Sequence, residues 1–276
     1  MSGSVPTHDP RRVRAVVLDW AGTTIDHGSR APVIAITRAM AARGVDITEA
    51  AARGPMGMGK RDHIGILLRL PEITQQWQAV TGSVPDDRDR DELYEAFQGV
   101  QLEAIGSTSD VIRGVPEAIA RLRQQGIAIG STTGYFRAAA LAAASIAAGQ
   151  GFVPDVLVAA DDVPAARPSP WMMFRVMETL DVFPPLTVVK VGDTPVDMGE
   201  GRNAGTWSVG VTETGNELAL TAAQLEALSP DERAGRAAAA GDRLLAAGAH
   251  ILIPSVAQLP AAIDQIEARL SAGERP

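Results

Sequence analysis

Asp19 ends a short apolar run, Val16 to Leu18, and is followed by Gly22, Thr23 and Thr24. An apolar run closed by Gly and Thr reads as a buried strand entering a turn. A carboxylate at the carboxyl end of such a strand stands where open α/β sheets bind ligands. There it serves as a nucleophile or holds a cation, although alone it also fits a helix N-cap. Asp193 closes the run Leu186 to Gly192 in the same way, with Asp197 four residues on. Thr133 ends the stretch Gly130-Ser131-Thr132-Thr133, and Arg167 precedes Pro168 in the loop that opens at Asp161. Lys60 is the fifth chemical candidate. Of the 25 lysines and arginines only Lys60 and Lys190 are lysines. Arginine stays protonated, whereas lysine can lose its proton and attack a carbonyl. A retained lysine in so arginine-rich a chain marks such a position, or is a surface lysine left by chance.

The elements that must position these residues fall into two kinds. From residue 30 to 105 the pattern is helical throughout. Val33, Ile36 and Met40 fall at helical spacing before Gly44, Thr48-Glu49 opens a short helix that stops at Gly54-Pro55, and Ile64, Leu67 and Leu68 continue a helix that starts near Lys60. His63, three residues after Lys60, can share its face. Two further helices are expected near 72–81 and 89–104, and Gly106 to Ser109 reads as a hinge. After the hinge, strands alternate with helices. Strands are expected at 127–130, 155–160, 186–192, 207–211 and 250–253, with helices between and after them, which argues for a parallel sheet covered on both faces. Residues 216–248 read as helical with a break at Ser229-Pro230. The expected fold is thus α/β, a Rossmann-like doubly wound parallel sheet with an inserted all-helical cap. Residues 13–29 and 106–276 form the core, 30–105 the cap and 1–12 a loose tail. An insert placed directly after the Asp19 strand can close over that strand's end.

Composition narrows the partners. The chain has 276 residues, 46% of them apolar, enough for a sizeable core. A net charge of −8 offers no global basic field for nucleic acid or an anionic membrane, so an anionic substrate needs a local positive site. There is no cysteine, which excludes disulfides and thiolate metal sites. No apolar run reaches the length of a bilayer span, and residues 1–12 carry no secretory apolar segment, so a cytoplasmic location is expected.

In a parallel sheet with right-handed crossovers, the ends carrying Asp19, Thr133, Arg167 and Asp193 fall on one edge. Two carboxylates there can share a hard cation such as Mg²⁺, and Thr133, its neighbouring amides and Arg167 suit a phosphoryl group. Asp197 fits this set or a helix-surface charge, and Arg167 alone fits a surface arginine. In this order the residues resemble the haloacid dehalogenase superfamily. The resemblance implies that Asp19 attacks phosphorus to form an aspartyl phosphate. It also implies that Asp19, Asp193 and the backbone carbonyl of Ala21 hold Mg²⁺.

Most phosphatases of that superfamily carry an aspartate two residues after the nucleophile to protonate the leaving alkoxide; here the residue is Ala21. Loss of a general acid costs typically about 10²–10⁴-fold, so a catalytic chain needs a different leaving group. A carbon leaving group fits, because a lysine imine accepts its electron pair. Lys60 is the only lysine in the insert. With an ordinary pKa near 10.4, roughly one amine in 2,500 would be free at pH 7, so burial or a cation such as Arg61 must lower it. The quoted stretches, with Met56-Gly57 before Lys60-Arg61-Asp62-His63 and with Val191-Gly192-Asp193-Thr194, are similar to the phosphonoacetaldehyde hydrolase family from about residue 14 to 270. That similarity implies hydrolysis of a C–P bond to acetaldehyde and phosphate. In it Lys60 forms the imine and Thr133 and Arg167 bind phosphate. Gly134 is expected beside them at the phosphate, and Asp197, His63 and Met56 as supporting residues, with His63 alternatively a helix residue whose hydrogen bond is satisfied. It also implies a homodimer paired through the caps. Lys190 is expected to project away from the site or pair with a core carboxylate. A phosphate-ester phosphatase and a non-catalytic phosphate-binding module are the alternatives.

Overall fold

The computed structural model describes residues 11–276. Of the expected tail, residues 1–10 lie outside the described residues. The chain opens with β1 (Ala15–Leu18) and leaves the sheet at once for five helices: α1 (Ala31–Ala41), α2 (Glu49–Arg53), α3 (Lys60–Leu68), α4 (Pro71–Thr81) and α5 (Asp87–Thr108). It returns through α6 (Val115–Gln124), β2 (Ala128–Thr133), α7 (Arg137–Ala148), β3 (Val156–Ala159), α8 (Trp171–Thr179) and β4 (Val188–Gly192). The last elements are α9 (Pro195–Ala204), β5 (Trp207–Val211), α10 (Ala222–Glu226), α11 (Pro230–Ala246), β6 (Ile251–Ile253) and α12 (Leu259–Ser271). The six strands make one all-parallel sheet in the order β3-β2-β1-β4-β5-β6.

Both faces of the sheet are buried, so its strands read as continuous apolar runs. Successive residues point to opposite faces. Val16 and Leu18 pack with Ile119, Ala143 and Ile263 on one side, whereas Ala15 and Val17 pack with Met172, Met173 and Val176 on the other. The helical segment has its own core of Ile36, Met40, Ile64, Leu67, Trp77, Leu93 and Phe97.

Two expected boundaries move. The stretch read as a hinge, 106–109, is helical through Thr108, because Ser107 and Thr108 return their hydroxyls to the Ala104 carbonyl (3.1 and 2.9 Å) and a side chain at Gly106 would meet nothing. The chain leaves the helix at Ser109-Asp110. Strand β2 extends beyond Gly130 through Thr133, since Ser131, Thr132 and Thr133 stay in register with Leu157, Val158 and Ala159. Residues 216–221 carry no helix; Thr221 and Ser229 cap α10 and α11.

The helical segment meets the carboxyl edge of the sheet where glycines permit close approach. Gly57 has a φ of +89°, and a Cβ there would collide with Thr194. A Cβ on Gly134 would lie 2.5 Å from the Met58 carbonyl oxygen. The prediction is that Gly134→Ala holds the 54–59 loop off the sheet edge. Limited proteolysis within that loop should then accelerate by about tenfold with little change in secondary structure; an unchanged cleavage rate would count against the glycine contact.

Candidate active site

β1 and β4 are neighbours at the point where the strand order reverses, and open α/β sheets bind ligands there. Leu18 pairs with Val191, and the Asp19 amide donates to the Val191 carbonyl (2.9 Å), so Asp19 and Asp193 leave adjacent strands side by side. The turn after Asp19 is tied by Thr24 Oγ1 donating to the Asp19 carbonyl (2.9 Å). Gly22, with φ +85°, lets Asp193 approach: a Cβ there would strike the Asp193 carboxylate. Thr23 Oγ1 donates to Asp193 Oδ1 (2.9 Å) and the Asn216 amide to Oδ2 (2.7 Å).

Arg167 is not a surface arginine. It is 1% exposed, and its Nη1 lies 2.7 Å from Asp19 Oδ1 and 2.8 Å from Asp197 Oδ1. The rest of its loop serves the scaffold. Asp161 Oδ1 accepts from the Arg137 amide (2.7 Å) at the start of α7, and Asp162 Oδ2 accepts from the Ala159 amide (2.8 Å). Asp197 is not a helix-surface charge either. It is fully buried, its Oδ2 accepts from Thr194 Oγ1 (2.5 Å), and its Oδ1 is shared by Arg167 and Lys190. Of the two expectations for Lys190, pairing with core carboxylates is the one observed: Nζ lies 3.0 Å from Asp197 Oδ1 and 2.9 Å from Glu200 Oε2.

The electrostatics follow from burial. Burial pushes the Asp19 carboxyl up, Arg167 pulls it down, and the net shift is upward. Asp193 is pushed well above the usual carboxylate range, first by burial and then by Asp19 and Asp197. For Asp197 burial is outweighed by Arg167 and Lys190, which hold its carboxyl below the usual range. The Asp19, Asp193 and Asp197 carboxylates can bring one oxygen each within 4.8 Å of one another. Asp197 is committed to Arg167, Lys190 and Thr194, so Asp19 and Asp193 are the pair left short of positive charge. Their oxygen chemistry fits a hard cation.

Lys60 is the first residue of α3 and is 3% exposed. Burial lowers its pKa to about 8; the Asp19 carboxylate opposes the shift and Arg167 adds to it. Arg61, the cation expected to assist, is exposed and bound to Asp91 by Nε and Nη2 (both 2.8 Å), so burial is the main cause. Met56 Sδ lies 3.6 Å from Lys60 Nζ. His63 is fully buried, and its Nε2 is 2.9 Å from the Ala52 carbonyl. Burial and the Lys60 charge hold its pKa well below the ordinary value, so the ring is neutral and ties α3 to α2.

Asp19, Ala21, Met56, Lys60, Thr133, Gly134 and Arg167 surround one cavity of about 20 Å³. The lysine from the helical segment and the carboxylate from the sheet thus face the same small space. Ser29 and Tyr135 line it too, unanticipated from the sequence. Tyr135 is 3% exposed with an unpartnered hydroxyl. Asn216 was also missed. Its amide holds Asp193, while its Oδ1 accepts from Arg53 Nη1 (3.1 Å) of α2. No local pattern marks a loop residue whose partners lie 23 and 163 positions away.

Comparison with known proteins agrees with this geometry. Residues 13–205 match the haloacid dehalogenase-like hydrolase family. A phosphonoacetaldehyde hydrolase from Paraburkholderia xenovorans (strain LB400) is 45% identical over 96% of this chain and 100% of its own length. One from Bacillus cereus (strain G9842) is 43% identical over 93% of this chain and 97% of its own. The crystal structure of a phosphonoacetaldehyde hydrolase-like protein from Oleispira antarctica superposes with a TM-score of 0.95 at 38% identity, covering 100% of this chain and 99% of that one. The chain belongs to the phosphonoacetaldehyde hydrolase family of the haloacid dehalogenase-like hydrolases.

Proposed function

We propose that this protein hydrolyses the C–P bond of phosphonoacetaldehyde to acetaldehyde and phosphate. One observation carries the reading: a buried lysine with its pKa lowered to about 8 shares a cavity of about 20 Å³ with Asp19, and Ala21 stands where an ester phosphatase needs its acid. The relatives named for this activity match along nearly their whole length.

In this reading the free amine of Lys60 condenses with the aldehyde, releasing water, and the imine nitrogen takes up a proton from solvent. Asp19 attacks phosphorus; the C–P electron pair moves onto carbon and neutralises the imine as an enamine. Protonation of the enamine carbon and hydrolysis return Lys60 and release acetaldehyde. Water then cleaves the aspartyl phosphate. Arg167, Thr133 and the Gly134 amide hold the transferring phosphoryl group. The neutral ring of His63 and the Met56 thioether keep the lysine in an apolar wall that favours its free amine. Asp19, Asp193 and the Ala21 carbonyl would hold Mg²⁺, which offsets phosphoryl charge when bound. Two copies pair through the helical segment, where Val80, Val84 and Leu102 are exposed apolar side chains in keeping with such a contact. Absence of a general acid at Ala21 argues against an ester phosphatase.

Three outcomes are expected. First, borohydride with phosphonoacetaldehyde leaves a two-carbon adduct on Lys60 by peptide mapping, and Lys60→Arg releases acetaldehyde at less than a few per cent of the wild-type rate. An adduct confined to Lys190 or Met1, or robust turnover by the variant, would remove the imine. Second, Asp19→Asn still forms the Lys60 adduct but loses phosphate release by at least about 10³-fold. Third, the free-amine fraction rises with pH through the Lys60 pKa, so the adduct-formation rate should climb tenfold per pH unit and level off near pH 8. A rise that continues unbroken to pH 10 would contradict the lowered pKa.

A further inference from the structure

Arg167 belongs to a closed ring of buried charges, and the proposed reaction gives no step to Lys190 or Glu200 within it. Arg167 Nη1 meets Asp197 Oδ1 at 2.8 Å, Asp197 Oδ1 meets Lys190 Nζ at 3.0 Å, Lys190 Nζ meets Glu200 Oε2 at 2.9 Å, and Glu200 Oε2 accepts from Arg167 Nε at 2.9 Å. All four side chains are essentially inaccessible. Thr132 Oγ1 sits at the centre, accepting from Arg167 Nη2 (2.6 Å) and Lys190 Nζ (2.9 Å) and donating to Glu200 Oε2 (3.2 Å). Arg167 Nη2 also donates to the Thr132 carbonyl (2.6 Å).

The sequence builds this ring through close packing of α9 on β4. Lys190 and Gly192 alternate with Val189 and Val191, so they face α9. A Cβ on Gly192 would collide with Asp197, and one on Gly201 would meet Ser208 and Lys190. The two glycines let the helix approach until Glu200 reaches under the strand ends.

We infer that Glu200, with Lys190 as its counter-charge, is the positioning residue that orients the Arg167 guanidinium toward Asp19 and the phosphoryl group. The argument is geometric. Arg167 comes from an irregular loop, and its planar fork has five donors in fixed relation. Glu200 takes the Nε edge and Thr132 takes Nη2. These two anchors set the plane and its rotation, and Nη1 is left between Asp197 and Asp19 at the edge that faces the site. The charge count matters equally. Two carboxylates and two cations make the ring neutral, so Lys190 relieves Arg167 of neutralising Asp197 and Glu200 alone. Without Glu200 the Nε edge loses its acceptor, and the guanidinium, still paired through Nη1 with Asp19 and Asp197, is free to turn about that contact and no longer meets the phosphoryl oxygens in register.

This inference rests on the proposed phosphoryl-binding role of Arg167, and the test keeps the two apart. Glu200→Gln retains the side-chain shape and removes the charge. Four readouts are taken on the full chain: kcat and KM, competitive inhibition by inorganic phosphate, borohydride trapping of the Lys60 adduct, and the thermal midpoint. The expected result is phosphate inhibition weakened about tenfold and kcat lowered at least tenfold, with the Lys60 adduct within twofold of wild type. The net-neutral double variant Glu200→Gln/Lys190→Met should recover the thermal midpoint without recovering kcat or phosphate affinity; it carries the same test should the single variant fail to fold. Phosphate inhibition and kcat within twofold of wild type in either folded variant would overturn the inference. So would recovery of kcat together with stability in the double variant, which would reduce the ring to charge balancing. Failure of the wild-type protein to form the adduct or release phosphate would instead strike the function reading.

Discussion

A carboxylate removed from water needs a partner, and Asp19 finds it in Arg167, 2.7 Å away at the carboxyl end of β1. Desolvating an ion costs several kcal/mol after relaxation, so the surroundings must supply opposite charge and hydrogen bonds. Asp19, Asp193, Asp197 and Glu200 are buried together around Arg167 and Lys190. The ring of Arg167, Asp197, Lys190 and Glu200 balances itself. Asp19 and Asp193 lie on its open side, where burial pushes both carboxyls upward, opposed at Asp19 by Arg167, and that side suits an added cation. Strand order, the glycines at 22, 192 and 201, and the turn after Asp19 all serve to bring these charges into one place.

The helical segment contributes a group of opposite character. Lys60 enters an environment that penalises its charge, and burial outweighs the attraction of Asp19. His63 helps by being neutral and tied to the Ala52 carbonyl; a charged ring there would need its own counter-ion. The same burial therefore has two consequences. It raises Asp19, despite Arg167, and Asp193, and it lowers Lys60 toward its free amine. Both depend on the helical segment seating closely on the sheet edge, which the glycines at 57 and 134 allow.

Much of this was legible along the chain because it depends on neighbours in sequence. The strand runs ending in Asp19 and Asp193, the glycine-bounded helices and the insertion after β1 are local patterns, and the all-parallel sheet follows from their alternation. The stretch 106–109 is helical through Thr108 because hydroxyls can bond back within a helix as readily as end it, and β2 runs longer because Ser131 to Thr133 find partners on β3. Arg61 stands next to Lys60 in sequence, yet it points to Asp91 in solvent; Arg167, over a hundred positions away, is the cation that bears on the lysine.

Glu200 shows the limit most clearly. In Gly199-Glu200-Gly201-Arg202 it reads as a solvated helix charge, and only the packing of α9 against β4 turns it inward to Arg167 and Lys190. Asn216 was hidden for the same reason, its partners Asp193 and Arg53 being distant in sequence, whereas pairing with a core carboxylate was one of the two expectations for Lys190. The sequence by itself determined which residues end the strands, where the helical insert departs and which lysine it carries, because periodicity and turn chemistry act over a few residues. Tertiary structure decided which charges share a desolvated space, and so which amine is lowered and which carboxylates are raised. Those energies depend on distances and solvent exclusion between segments that the linear order keeps apart.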